Sequence, residues 1–182
     1  MKCAILGTGK IGIDLYLKLK RKKHNDISIF NLNPKSTGAK YCKKKKFNYF
    51  SGGIKALLKK GKYNIIFDTT NAKSNIFHSH KLVKKKVILV NLTPSGIGDF
   101  YIPYIDKDKK IKSNNFNLIT CGGQSSIPII YEISKKLKSI KYVEIVSAIS
   151  SASAGIATRA NIDEYLDITS KAVIKYTKIK NV

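Results

Sequence analysis

The segment LITCGGQSSIP, residues 118–128, places one cysteine between a short apolar run and a pair of glycines. Turn glycines followed by a helical sequence predict that Cys121 lies near a helix N-terminus. There the helix dipole and free backbone N–H groups favour a nucleophilic thiolate. The same N–H groups could hold an oxyanion, with Gln124 as a neighbouring donor. The alternative is a buried structural cysteine, and residue spacing alone does not separate the two interpretations.

A second candidate site is the glycine-rich stretch GTGKIG, residues 7–12, between an apolar run and a helical sequence. In a dinucleotide-binding unit, a glycine at position 7 permits the tight turn. Gly9 lets backbone N–H groups approach a pyrophosphate, and Gly12 allows close helix–strand packing. The alternative is a glycine turn that binds nothing.

The end of the second predicted strand bears on which dinucleotide would bind. Dinucleotide-binding folds usually place Asp or Glu there to bond the adenosine ribose, but this chain has Asn31 and Asn33. Asparagine can bond a ribose hydroxyl without repelling a 2′-phosphate, and Lys35 and Lys40 could attract one. The sequence leaves NAD and NADP both open.

A thiolate beside a dinucleotide suggests aldehyde oxidation. The sulfur would attack a carbonyl carbon, a hydride would leave to the nicotinamide, and a thioester would remain. Cys3 and Cys42 are interpreted as structural, the first in a core strand and the second in a lysine-rich helix.

The elements that would position these residues alternate between strand and helix. After the first strand at 2–6, strands are predicted at 27–32, 64–70 and 87–93, and helices at 38–46, 54–60 and about 74–86. This order predicts a Rossmann-like, doubly wound parallel α/β sheet.

The character of the sequence changes after Ile111. A strand at 116–120, a helix from about 126 to 138, a strand at 142–151, a loop and a final helix from Asn161 are predicted. Asn161 is expected to cap that helix, with Glu164 reaching back to it. We expect a dinucleotide-binding domain over 1–124 and an incomplete α+β domain over 125–182.

The composition bears on nucleic-acid binding, on disulfide and metal sites, and on cellular location. The net charge is +24, but only Arg21 and Arg159 are arginines, and the lysine runs are typical of solvated faces rather than of a specific nucleic-acid reader. Three scattered cysteines predict neither a disulfide framework nor a zinc site, and His78 and His80 fall on different helix faces. Without a membrane span or signal peptide, a cytoplasmic protein is expected.

Six collinear segments of the chain are distinctive: GTGKIGIDL (7–15), NPKSTG (33–38), IIFDTTNA (65–72), NLTPSGIG (91–98), LITCGGQSSIP (118–128) and EIVSAISSASAGIATRANIDEYLDITSKA (144–172). Together they resemble one known family, the acetylating, CoA-dependent acetaldehyde dehydrogenases that work with 4-hydroxy-2-oxovalerate aldolase in meta-cleavage pathways of aromatic hydrocarbon catabolism. The resemblance implies that Cys121 carries the acyl thioester and that acetaldehyde and CoA are substrates. It implies NAD contacts from the glycine turn, through Thr8, Gly9, Lys10 and Ile11, and from a loop formed by Ala152, Ser153, Ala154, Gly155, Ile156, Ala157, Thr158, Arg159 and Ala160. It also implies a homodimer.

The chain departs from the family pattern at several positions. Family members usually carry Asn where this chain has Lys10 and Asp where it has Asn33, and they read SKSAGPGTR where it has SASAGIATR. Family chains also continue past residue 182 with most of the second domain, so we expect a truncated chain of low activity. The alternatives are a non-catalytic remnant that binds dinucleotide, a semialdehyde dehydrogenase using phosphate as acyl acceptor, and a lysine-driven nucleic-acid binder.

Overall fold

The computed structural model describes residues 1–83, 85–110, 113–137, 139–152 and 154–182 of the chain. The chain opens with strand β1 (Cys3–Leu6), the glycine turn and helix α1 (Lys10–Arg21). All four residues of β1 are buried, as its continuous apolar run predicts for a strand covered on both faces.

The next elements complete the alternation of strand and helix. They are β2 (Ile27–Asn31), α2 (Thr37–Lys44), β3 (Tyr49–Ser51), α3 (Gly53–Lys60), β4 (Ile65–Asp68), α4 (Ala72–Leu82) and β5 (Ile88–Asn91). After them come β6 (Asp99–Phe100), α5 (Pro103–Asp106), β7 (Asn115–Asn117), α6 (Cys121–Lys136), α7 (Ile156–Arg159) and α8 (Ile162–Thr177).

The seven strands form one sheet in the order β3-β2-β1-β4-β5-β7-β6, and every neighbouring pair is parallel. The strand order reverses direction between β1 and β4, which is where open α/β sheets bind their ligands. The Rossmann-like parallel α/β fold predicted from the sequence is therefore confirmed. The division of the chain near residue 124 stays a prediction.

Alternate residues of the central strands build a core on each face of the sheet. Ala4, Leu6 and Phe30 pack in one apolar cluster, while Cys3 and Ile5 belong to the other. A third cluster attaches the C-terminal helices to the β7 side of the sheet and consists of Ile102, Ile119, Ile127, Ile168, Ala172 and Val173. This third cluster fixes α6 and α8 relative to the carboxyl edge of the sheet.

Several element predictions for the C-terminal third were wrong. Residues 142–151 form no strand, although the Val143 N–H donates to the Asn181 carbonyl. A run of strand-forming residues makes a strand only where another backbone supplies the ladder. Helix α6 begins at Cys121 rather than near residue 126, because Gly122 and Gly123 lie inside its first turn.

The predicted cap of the last helix is also absent. The Asn161 side chain makes no capping bond to α8, and its Oδ1 accepts the N–H of Ala72 at 3.1 Å instead. That bond joins the start of α8 to the start of α4. None of the described helices is long and apolar enough to cross a membrane.

Candidate active site

The glycine turn has the geometry that a pyrophosphate requires. Gly7 has a φ of 106°, and a Cβ at Gly12 would lie 2.2 Å from the Gly7 carbonyl oxygen, so both positions need glycine. A Cβ at Gly9 would meet nothing within 4 Å, which leaves open space over the start of α1. Gly9 caps α1 without a side-chain bond, so the first-turn N–H groups face that space. The turn fits a bound phosphate group.

The end of β2 offers amides where a ribose would lie. The Asn31 side-chain amide donates to the Asn33 carbonyl at 2.9 Å and to Ser36 Oγ at 2.8 Å. Asn33 Oδ1 in turn accepts the N–H of Lys35. No carboxylate replaces them at the end of this strand, so the choice between a ribose hydroxyl and a 2′-phosphate is left open by the geometry.

Cys121 is presented by a sharp turn between β7 and α6. Ile119 has a φ of 62°, which is a strained conformation for a β-branched residue, and its N–H donates to Asn117 Oδ1 at 2.6 Å. Ile119 is nevertheless buried in the third apolar cluster, and that packing holds the strained backbone. Thr120 then caps α6 by accepting the Gly123 N–H at 2.9 Å. Cys121 is the first residue of the helix and is exposed.

The other two thiols differ sharply from Cys121. Cys3 and Cys42 are buried in the core, and burial raises the pKa of both thiols, that of Cys42 to about 11. A buried thiol with a raised pKa is a poor nucleophile. The structural interpretation of these two cysteines is confirmed. Among the described residues, no three His, Cys, Asp or Glu side chains group into a metal site.

The groups around the Cys121 sulfur differ from those expected. The N–H of Gly122 donates to the Tyr165 hydroxyl at 2.9 Å, and that hydroxyl lies 3.9 Å from Cys121 Sγ. With Gly123 bonded to Thr120, the first-turn N–H groups after the cysteine are already engaged. In the described part of the chain, the N–H of Cys121 itself donates to no acceptor.

Gln124 corrects another expectation. Its side-chain amide donates to the carbonyl oxygens of Tyr101 at 2.8 Å and Leu118 at 3.0 Å, so both amide hydrogens are engaged. Gln124 therefore has no hydrogen left for an oxyanion. It ties α6 to the segment after β6 and to the residue that follows β7.

Within the described residues, the predicted cofactor loop contacts the glycine turn through Lys10. The Lys10 ammonium donates to the Ala152 carbonyl, which joins the first turn of α1 to the start of the loop. Arg159 bonds to Ser151 rather than to the glycine turn. Ser153 lies outside the described residues, and only the backbone of residues 156 and 157 is described, as the first two positions of α7. Further along the chain, Asn161 accepts the N–H of Ala72, and Tyr165 accepts the N–H of Gly122. Contacts with the glycine turn, through Ala152, and with the helix that carries the thiol, through Tyr165, therefore lie only 13 residues apart in the sequence.

Sequence comparisons relate this chain to acetaldehyde dehydrogenases. Residues 121–182 match the family model described as "Prokaryotic acetaldehyde dehydrogenase, dimerisation". The acetaldehyde dehydrogenase of Carboxydothermus hydrogenoformans is 39% identical over 96% of this chain and 58% of its own length. That of Geobacillus thermodenitrificans is 39% identical over 93% of this chain and 58% of its own length.

The chain is a homologue of these acetaldehyde dehydrogenases. It spans 58% of the length of each of these two curated relatives. Among solved structures, the malate dehydrogenase of Aeropyrum pernix is similar with a TM-score of 0.43 at 18% identity, covering 97% of this chain and 68% of that chain. The fold assignment for this acetaldehyde dehydrogenase homologue therefore rests on its own sheet order.

Sequence reasoning missed two residues beside the thiol of this homologue. Thr120 was readable as a helix cap, because threonine directly precedes the helix and is a preferred capping residue. Tyr165 carried no such signal, since it lies 44 residues from Cys121 and its position depends on how α8 packs on α6. In a sequence with helical spacing, an aromatic residue beside an active site looks the same as an aromatic residue of the apolar core.

Proposed function

We propose that this chain is the dinucleotide-binding and nucleophile-bearing part of an NAD-dependent, CoA-acylating acetaldehyde dehydrogenase. The observation that carries the proposal is the exposed Cys121, held at the first position of α6 by a strained turn at the carboxyl edge of the sheet. Homology to acetaldehyde dehydrogenases over more than nine tenths of the chain supports the substrate class.

The residues that would hold the dinucleotide come from the carboxyl edge of the sheet. The first-turn N–H groups of α1 and the Lys10 ammonium would bind the pyrophosphate, and Asn31 and Asn33 lie where the adenosine ribose would be recognised. The segment from Ala152 to Ala160 would cover the cofactor through the Lys10 contact. When bound, the nicotinamide would accept a hydride from the carbon attached to the Cys121 sulfur.

The chemistry on Cys121 takes place in two stages. The thiolate attacks the carbonyl carbon of acetaldehyde, a carbon–sulfur bond forms and the π electron pair moves to oxygen. Loss of hydride from that carbon restores the carbonyl as an acetyl thioester. The CoA thiolate then attacks this thioester, its own carbon–sulfur bond forms and the bond to Cys121 breaks. Acetaldehyde, NAD⁺ and CoA thus become acetyl-CoA, NADH and a proton.

Stabilisation of the oxyanion falls to the first turn of α6. Since Gln124 and the Gly123 N–H are engaged, the proposed donors are the N–H of Cys121 and the hydroxyl of Tyr165, which occupies the Gly122 N–H. A hydrogen-bond donor at such a position contributes about 10²–10³-fold to a rate.

The dimerisation model over residues 121–182 leads us to propose a homodimer formed through this part of the chain. A 4-hydroxy-2-oxovalerate aldolase stays a proposed partner that rests on the family resemblance alone. Sedimentation velocity with and without an aldolase tests both proposals. A purely monomeric chain at micromolar concentration would contradict the dimer.

The activity is tested by following NADH in a mixture of the chain, acetaldehyde, NAD⁺ and CoA. The Cys121→Ser variant is expected to lose activity by more than about 10²-fold, because a serine hydroxyl is not ionised at neutral pH. The matched control is Cys42→Ala, which removes a buried thiol and is expected to retain the rate of the parent chain. An acetyl adduct on the Cys121 peptide, found by mass spectrometry, would locate the thioester.

The outcomes of this assay separate the proposal from its competitors. A rate that depends on phosphate instead of CoA would indicate a phosphorolytic semialdehyde dehydrogenase. Dinucleotide binding without turnover would indicate a non-catalytic remnant. Parallel titrations with NAD⁺ and NADP⁺ determine which dinucleotide the Asn31 and Asn33 amides accept, and equal rates for Cys121→Ser and the parent chain would refute the nucleophile.

A further inference from the structure

Helix α8 places a phenol directly beside the exposed thiol. Tyr165 approaches the first turn of α6 from a groove of about 700 Å³ that its side chain helps to line, and its hydroxyl lies 3.9 Å from Cys121 Sγ. The two residues are 44 positions apart in the sequence, so this contact is made by the packing of α8 on α6. The third apolar cluster, which includes Ile127 of α6 and Ile168 of α8, fixes that packing.

The hydrogen bond from Gly122 orients the phenol. The Gly122 N–H donates to the Tyr165 oxygen at 2.9 Å, so the hydroxyl hydrogen is left to donate elsewhere. Cys121 Sγ and the Ser147 hydroxyl lie beside it. The neutral thiol donates to the phenol oxygen, whereas a Cys121 thiolate can only accept the phenol hydrogen. Burial raises the pKa of Tyr165, and the negative charge of a Cys121 thiolate raises it further, so the phenol keeps its proton.

The position of this phenol leaves no room for a side chain at position 122. A Cβ built on Gly122 would lie 2.0 Å from the Tyr165 oxygen and 3.0 Å from Ser147 Oγ. Any larger residue at position 122 would therefore expel the hydroxyl from the helix terminus. The close approach of the Tyr165 oxygen that permits its bond to the Gly122 N–H therefore also requires glycine at position 122.

We propose that Tyr165, held by the Gly122 N–H, is a hydrogen-bond donor to the Cys121 thiolate and to the oxyanion formed on it. The proposal deepens the function proposed above and rests on it. The bond from the Gly122 N–H polarises the Tyr165 hydroxyl, which makes it a stronger donor to the sulfur while it keeps its proton. It thereby takes the place of the Gly122 and Gly123 N–H groups, which are engaged by other acceptors.

The charged neighbours of this site leave Tyr165 as the group that acts on the sulfur. Glu144, Arg159 and Asp167 line the same groove. Arg159 bonds to Ser151, Asp167 pairs with Lys171, and none of the three is bonded to Tyr165 or Cys121 within the described residues. A change in thiol reactivity on removal of the phenol hydroxyl is therefore attributable to that hydroxyl.

The test is the pH profile of Cys121 alkylation by iodoacetamide, measured on the whole chain by mass spectrometry of the Cys121 peptide. In Tyr165→Phe, alkylation at pH 7 is expected to slow by about tenfold, because a hydrogen bond to a charged group is lost. At pH 10 and above, where thiols ionise without help, the two rates are expected to converge. Tyr142→Phe, which removes a hydroxyl from an exposed tyrosine of the same groove, is the control and should match the parent chain.

A second variant covers the case in which Tyr165→Phe fails to fold. Gly122→Ala keeps the tyrosine but pushes its hydroxyl away, and it should reproduce the slow alkylation at pH 7. Coincident pH profiles for the parent chain and a folded variant would overturn the proposal. Because alkylation requires neither dinucleotide nor CoA, this result is independent of the NADH assay, on which the proposed function stands or fails.

Discussion

The sheet region of residues 3–117 and the segment of residues 139–152 differ in how they use their apolar residues. In the sheet, the apolar residues of the central strands β1 and β2 have a neighbouring backbone on each side and are buried, and Ile5, Ile29 and Phe30 are fully buried. In the segment, Tyr142, Val146 and Ile149 are also strand-forming residue types but are exposed, Val146 by 87%. A run of such residues therefore predicts that a segment is able to join a sheet, while a partner strand decides whether it does.

The largest expected effect lies in the sheet region. Phe30→Ala removes a fully buried ring that stacks on Phe50, and it is expected to lower the free energy of unfolding by about 3–5 kcal/mol. Chemical denaturation followed by circular dichroism measures this loss. A loss below about 1 kcal/mol would show that the core around β2 is loosely packed.

An intermediate effect is expected where the sheet region is joined to α8. Asp106 accepts hydrogen bonds from the Ile102 N–H, Lys109 and Tyr176, and Tyr176 belongs to α8. Burial alone would raise the pKa of Asp106, but these three donors lower it below its ordinary value. Asp106→Asn is therefore expected to cost about 1–3 kcal/mol at pH 7.

The sign of the pH dependence of this variant follows from the lowered pKa. A depressed folded-state pKa means that the carboxylate stabilises the fold above its unfolded pKa of about 4 and loses that contribution as the pH falls through the folded value. The difference in unfolding free energy between the parent chain and Asp106→Asn should shrink below pH 4. A constant difference between pH 7 and pH 3 would contradict the hydrogen-bonded carboxylate.

The smallest effect is expected in the exposed segment. Val146→Ala should change the free energy of unfolding by less than about 0.5 kcal/mol, because the side chain makes little contact. Denaturation at low and high protein concentration distinguishes two cases. A larger loss that appears only at high concentration would mean that Val146 is covered by a second copy of the chain.

The sequence predicted well wherever contacts are local or the strand is doubly covered. The β1–turn–α1 unit, β4 and β5 follow from apolar runs bounded by glycine or polar residues, and the glycine spacing located the turn. The start of α6 was missed because Gly122 and Gly123 have low helix propensity, which Thr120 and the packing of α8 outweigh. Gln124 and Asn161 were assigned to nearby functions, but distant carbonyl and N–H groups bind them instead.

The candidate site was partly readable for the same reason. Cys121 was located by its local context, and the structure places it exposed at the helix terminus. Tyr165 and the bond between Lys10 and Ala152 were not readable, because each joins segments more than 40 residues apart. Such contacts depend on the packing of helices, which no local spacing encodes.

The left-handed backbone of Ile119 makes the position of Cys121 depend on the packing of α8. Ile119 lies two positions before Cys121 in the chain. Its side chain packs in the same apolar cluster as Ile168, Ala172 and Val173 of α8. Any change that loosens this helix would let the kinked residue relax toward an ordinary conformation and would turn the sulfur away from its phenol. Labelling kinetics at one atom would then register slippage of a sixteen-residue helix before global unfolding begins.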